Sequence, residues 1–96
     1  MAADPTLLVL ASLADGDKHG YAMIGDIEEF AGVRLGPGTL YGAITRLEES
    51  GWICSVESDD RRRPYRLTAE GRRYLREQLA GLEQILKTGR QRLRQA

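Results

Sequence analysis

The chain has 96 residues, with 14 Lys or Arg against 14 Asp or Glu and a single cysteine, Cys54. That length gives one small domain with little stability to spare, for which oligomerisation is a common source of more. No apolar run is long enough to cross a bilayer, the opening MAADPTLLVLASLADG lacks the basic front of a signal peptide, and one cysteine excludes an internal disulfide, so the expectation is a cytoplasmic protein with no membrane partner.

Asp4 before Pro5 is a good cap and first helical position, and Leu7, Leu8, Leu10, Ala11 and Ala14 form an apolar first helix that stops at Asp15-Gly16. From Tyr21, the residues Met23, Ile24, Ile27, Phe30 and Ala31 recur at helical spacing, and Gly32 ends this second helix. Pro37 opens a third helix in which Leu40, Ile44 and Leu47 share one face, and Gly51 terminates it. The period then changes from helical to alternating. Trp52, Cys54 and Val56 are expected on one strand face, matched by Tyr65 and Leu67 on a returning strand, which makes Cys54 a buried, inert thiol. Between the strands lies ESDDRRRP, too charged to be buried. Thr68 caps a last helix, and Glu70 stands near its positive end.

These elements predict a mainly α fold with a small β-hairpin: a winged helix-turn-helix over residues 1–67, followed by a long C-terminal helix over 68–96. In the last helix Leu75, Leu79, Leu82, Leu86 and Leu93 occupy alternate three- and four-residue spacings, with Gly89 completing the series. That pattern predicts a homodimer seam, the other reading being a helix packed on its own domain. In the third helix, Thr39, Gly42, Thr45, Arg46 and Glu49 fall on the side away from the core. Small residues there allow the backbone to approach DNA. Thr39 and the free amides around Gly38 suit a phosphate, and Arg46 suits a phosphate or a guanine edge. Arg46 has one competing partner along its helix, Glu49, and an exposed pair of that kind is weak. Tyr41 lies between the two faces and either touches backbone phosphate or packs under the wing.

Charge sharpens this reading. Residues 1–60 carry three basic and eleven acidic residues, net −8, while residues 61–96 carry eleven basic and three acidic ones, net +8. Arg61, Arg62 and Arg63 at the hairpin tip lie along the DNA backbone, enter a minor groove, or form a solubilising turn with Asp59 and Asp60. His19 reads as a capping or packing residue, with no second His or Cys cluster to make a metal site.

The segments LLVLASLADGDKHGYAMIGDIEE, LGPGTLYGAITRLEESGWI and RRRPYRLTAEGRRYL resemble, in order and spacing, the PadR family of bacterial transcriptional regulators. The shared motifs are HGY at His19 to Tyr21, PGTLY at Pro37 to Tyr41, RLEESG at Arg46 to Gly51 and YRLTAEG at Tyr65 to Gly71. The resemblance implies a homodimeric repressor that binds double-stranded operator DNA and dimerises through its C-terminal helix. Its single last helix is similar to the compact subfamily, which includes multidrug-sensing repressors with a ligand pore at the dimer centre, so a small organic effector is a further expected partner. The chain departs from the family in Gly36, where a serine cap is common, and in Gly42, where proline often follows the tyrosine. Both are expected to loosen the third helix. The wing has no glycine, and only Tyr74 among the aromatic residues lies on the last helix, which argues against flat aromatic effectors.

Enzymatic chemistry finds no support. Glu28-Glu29 and Glu48-Glu49 are adjacent on helices, so their side chains diverge, and there is no Ser-His-Asp set, phosphate-binding glycine loop or metal quartet. No cofactor is expected. The competing reading is a protein-interaction module that has kept the winged helix but does not bind DNA, its acidic first sixty residues facing a basic partner.

Overall fold

The computed structural model describes residues 4–59 and 61–95; Asp60, expected beside the wing arginines, lies outside them. Helix α1 spans Pro5–Leu13, α2 Gly20–Ala31 and α3 Pro37–Glu49; strands β1, Ile53–Ser55, and β2, Tyr65–Leu67, form the hairpin; and α4 runs from Ala69 to Gln95. The architecture is therefore mainly helical with a two-stranded antiparallel sheet and a long last helix. Asp4 caps α1 by accepting from the Thr6 amide at 3.0 Å. Gly32, at φ 68°, closes α2 in the left-handed region that favours glycine.

Helix α1 is the centre of the core. Leu8, Val9, Leu10 and Leu13 are all buried, so its cover comes from α2, α3, α4 and β2 on several sides. The buried Ser12 hydroxyl donates to Asp26 at 2.7 Å, and Lys18 donates to the Ser12 carbonyl and pairs with Asp15. This satisfies the polar groups that α1 takes into the interior. The outward positions of α2 differ from expectation: Phe30 and Ala31 are exposed, and only Gly20, Met23, Ile24 and Ile27 of that helix are buried.

The strand face also needs correction. Ile53 pairs with Leu67, Cys54 with Arg66 and Ser55 with Tyr65. Ile53 and Leu67 are buried while Cys54 is exposed, so the inward parity of β1 is one residue away from the expected one. The cause is the end of α3. Gly51, at φ 77°, donates to the Glu48 carbonyl, and Trp52 donates to the Leu47 carbonyl, each at 3.0 Å, in a Schellman closure. Trp52 thus belongs to the helix cap, and the alternation starts at Ile53. A third strand-like contact widens the sheet, because Lys18 exchanges both backbone hydrogen bonds with Tyr65, at 3.2 and 2.9 Å.

The start of α4 is fixed to the hairpin. Thr68 donates its hydroxyl to the Gly51 carbonyl at 2.7 Å and accepts from the Gly71 amide at 3.0 Å, so it caps the helix while holding it to the end of α3. Gly71 permits the close approach: a Cβ there would meet the Trp52 carbonyl carbon at 2.7 Å. Trp52 and Tyr74 stack with centroids 3.6 Å apart and planes 12° from parallel. These contacts cover Leu75, which is 5 % exposed and packed in the chain's own core. It was expected in the intermolecular seam, so the uncovered part of the stripe begins at Leu79. Beyond that point α4 projects from the rest. Its 27 residues span about 40 Å at 1.5 Å per residue. The radius of gyration, 15.0 Å, accordingly exceeds the roughly 12 to 13 Å of a compact chain this long.

Candidate nucleic-acid interface

Helix α3 buries Leu40, Ala43, Ile44 and Leu47, and this apolar face fixes which side is left to solvent. Gly38, Thr39, Tyr41, Thr45 and Arg46 are exposed, and Gly42 is half-buried. At its start, Gly36 occupies the cap position without a side-chain hydrogen bond, so the first amides of α3 have no capping side chain. Thr45 donates its hydroxyl to the Tyr41 carbonyl at 2.9 Å. Its proton is thereby used within the helix, and its methyl group and oxygen lone pairs remain for an outside partner. Arg46 lies back along the helix, with a guanidinium nitrogen 3.6 Å from where a Gly42 Cβ would stand. Among the described residues Arg46 makes no ion pair, and Glu49 does not engage it.

The wing carries Arg61, Arg62 and Arg63, all exposed, in the segment between β1 and β2. The segment's base is closed by the Val56 amide donating to the Pro64 carbonyl at 2.9 Å. Arg66, on β2, is committed elsewhere: it donates to both carboxylate oxygens of Asp17, at 3.1, 3.2 and 2.8 Å. That hydrogen bonding, assisted by the charge of Arg66, holds the Asp17 carboxyl below its usual range. The pair ties the wing to the loop between α1 and α2. Asp15 is likewise held low by its hydrogen bond to Lys18.

Between α3 and the wing lies a cleft of about 350 Å³. The start of α2 forms its floor with His19, Gly20 and Tyr21; Tyr41 enters from α3; and Tyr65 joins the three wing arginines on the far wall. From sequence, Tyr41 is open between backbone phosphate and packing under the wing and the arginines between DNA and a solubilising turn, while Tyr21 has no DNA role and Tyr65 only a place on the strand face. The signal in the sequence is an aromatic residue in the first turn of α2; in the structure Tyr21 is 70 % exposed. Burial first, then the neighbouring Glu48 carboxylate, push the Tyr65 hydroxyl up, so it remains a neutral donor.

The expected seam residues form a second exposed surface. Leu79, Leu82, Leu86 and Leu93 all face solvent in the single chain, as does Ile85, which widens the stripe and which the three-and-four spacing omitted. Gly89 lies in the same row, and a Cβ there would meet nothing within 4 Å. No helix among the described residues is long and apolar enough to cross a membrane.

Residues 9–77 match the model of the transcriptional regulator PadR-like family. A 37.1 kDa protein in a transposon of Streptomyces fradiae is 50% identical over 72 residues, which are 75% of this chain but only 21% of that protein, so the chain spans about a fifth of its length. A transcriptional regulator of Mycobacterium tuberculosis is 37% identical over 84 residues, 84% of this chain and 78% of its own. Among solved structures, a PadR family transcription regulator from Clostridium difficile superposes with a TM-score of 0.86 at 28% identity, covering 95% of this chain and 99% of its own. The matched family is one of transcriptional regulators rather than enzymes, in agreement with the sequence reading.

Proposed function

The chain belongs to the PadR-like family of transcriptional regulators, and from that premise we propose that it is a repressor that binds operator DNA as a homodimer. In this reading residues 1–67 are the DNA-binding unit. Gly38, Thr39, Tyr41, Gly42, Thr45 and Arg46 meet the major groove and its backbone, and Arg61, Arg62 and Arg63 meet the adjacent minor groove. Residues 68–96 supply the dimerisation helix. The observation that carries the reading is the polarity of α3. Its apolar face is fully buried in the chain, and its other face is small, polar and, at Arg46, free of any ion pair among the described residues.

Homodimerisation rests on the exposed row of Leu79, Leu82, Ile85, Leu86 and Leu93. A contiguous apolar stripe of this kind is a burden to a monomer, and pairing about a two-fold axis covers it. The same axis sets two α3 helices on a palindromic site with half-sites about one DNA turn, or a multiple of it, apart. A small organic effector binds between α4 and the winged-helix unit near that axis and releases the DNA. The working compartment is the cytoplasm, where the DNA is.

The test is a gel shift on the DNA upstream of the protein's own gene, repeated over a salt series. A repressor that neutralises several phosphates loses affinity with a log–log slope of about 0.9 per contact. No retardation, or a salt-independent affinity, leaves the protein-interaction reading in its place. Arg46→Ala separates two roles for that side chain. A base contact costs roughly 1 to 3 kcal/mol on the specific site alone, whereas a phosphate contact weakens specific and random DNA equally. For the effector, a compound that releases DNA should also raise the melting temperature of the free protein, because it binds the folded state. A chemically broad panel without one such compound removes the effector from the proposal.

A further inference from the structure

The cleft between α3 and the wing follows from the DNA-binding reading and adds a specific contact to it. A recognition helix in a major groove and a wing tip in the neighbouring minor groove are separated by one sugar–phosphate strand, because the two grooves of a duplex share that strand as their common wall. Whatever lines the space between helix and wing must therefore accommodate phosphate. Here the described lining consists of the start of α2, Tyr41 of α3, and the wing residues Tyr65 and Arg61 to Arg63, with no carboxylate among these described residues. In a chain with as many acidic as basic residues, that composition is selective for an anion. From outside that lining, Glu48 acts on Tyr65.

We propose that this cleft seats the strand between the two grooves, with the hydroxyls of Tyr21 and Tyr41 donating to its phosphates and Arg61 and Arg63 neutralising them. Two features of the chain are then explained together. Tyr21 stands 70 % exposed in the first turn of α2, so most of its ring is open to an outside partner. Its hydroxyl is the group that a phosphate oxygen accepts from. Gly20 precedes it at the first position of the helix, where glycine is costly to helix formation. The Tyr41 ring occupies the space above it, and a Cβ at Gly20 would overlap the Tyr41 hydroxyl and stand 2.8 Å from its Cζ. Gly20 thus sets where the Tyr41 hydroxyl is held.

Ethylation interference on the DNA upstream of the protein's own gene tests this directly, with parent protein, Tyr21→Phe/Tyr41→Phe, Tyr41→Phe, Gly20→Ala and Gly20→Ala/Tyr41→Phe. The parent should show blocked phosphates on both strands of each half-site, including a set between the major-groove and minor-groove segments. The double tyrosine variant should lose interference at that set alone. Its affinity should fall about tenfold or more for specific and random DNA alike, as expected for a contact that reads no base. Tyr→Phe keeps the ring, and an unchanged thermal melt confirms the fold. Gly20→Ala shifts Tyr41 without removing its hydroxyl, so it should lower affinity to the level of Tyr41→Phe, and the two changes combined should add little. If the parent binds DNA but the double variant keeps the same interference pattern and affinity, the cleft is not a phosphate seat while the DNA-binding reading stands. If Gly20→Ala binds like the parent, or its loss adds fully to that of Tyr41→Phe, the bracing of Tyr41 by Gly20 is wrong. A parent that binds no DNA overturns both readings at once.

Discussion

From Pro5 to Leu75 the Leu, Ile, Val and Met side chains are buried or half-buried by other parts of the same chain; from Leu79 to Leu93 every Leu and Ile is exposed. The two regions are equally helical, so the contrast is one of cover rather than of secondary structure. The first region supplies both halves of each contact. Leu40, Ile44 and Leu47 of α3 meet Leu8, Val9, Leu10 and Leu13 of α1 in one core. The second region supplies only one half, and a helix as apolar along one row as α4 is stable in water when a partner provides the other.

The sharpest way to break this contrast is to place charge in the uncovered row. Leu79→Asp/Leu86→Asp puts four carboxylates into the two-fold seam of a dimer, each costing several kcal/mol when left unpaired and away from water. The expected result in sedimentation velocity is a monomer. A double variant that stays dimeric with undiminished operator affinity places the seam elsewhere, and a monomeric parent removes it altogether. That monomeric background then measures the two regions separately. In it, Leu40→Ala should lower unfolding stability by about 2 to 5 kcal/mol, the range for emptying a fully buried leucine site. Leu82→Ala in the same background should stay within about 0.5 kcal/mol, as for an exposed residue. Equal losses in urea titrations would mean that the monomer folds α4 back onto itself.

Gly89 gives a smaller effect whose sign depends on association. Within one chain a Cβ at Gly89 meets nothing, so Gly89→Ala should strengthen the monomeric helix by about 1 kcal/mol. In the dimer Gly89 lies in the middle of the apolar row, where a close crossing of two helices leaves no room for a methyl group, so the same change should weaken association. Gly81→Ala, off that row and equally open, is the control and should help both states. A Gly89→Ala protein that dimerises more tightly shows that the helices do not cross closely at this point.

What was legible in the sequence follows the same division between local and distant causes. The helix boundaries at Asp4-Pro5, Gly32, Pro37, Gly51 and Thr68 were readable because a cap is decided by the residues within one turn of it. The inward face of β1 was not. It turned on Trp52 completing the closure of α3, which shifts the count by one residue and leaves Cys54 outside. Leu75 carried the same spacing as Leu79, and it is Gly71, by letting α4 approach the Trp52 backbone, together with the Thr68 cap and the Trp52–Tyr74 stack, that brings it into the core. The outer residues of α3 could be assigned to a face from periodicity alone. The cleft beside them could not, because it joins α2, α3 and the wing through contacts across half the chain: Tyr41 over Gly20, Tyr65 beside Lys18, and Arg66 on Asp17.

That last contact supplies the smallest effect and the one that varies with pH. Asp17 and Arg66 join the loop after α1 to β2, entirely within the self-covered region, so their contribution should be the same in the dimer and in the monomeric variant. Because the Asp17 carboxyl is held below its ordinary value in the folded protein, the unfolded chain takes up a proton there first as pH falls. The stability contributed by the pair is therefore present above the unfolded carboxyl value, near pH 4, and is lost as pH drops through the folded one. Asp17→Asn should lower the melting temperature slightly at pH 6 to 7, by less than Gly89→Ala changes it, since both side chains of the pair are partly exposed to water. The difference between parent and variant should shrink toward zero between pH 4 and pH 2. Asp15, held low by Lys18, titrates in both proteins and cancels in that difference. Salt at roughly 1 M should reduce the neutral-pH difference, because the Debye length then falls to about 3 Å. A parent-minus-variant difference that persists undiminished at pH 2 would mean that Asp17 holds the wing by hydrogen-bond geometry, with its charge contributing nothing.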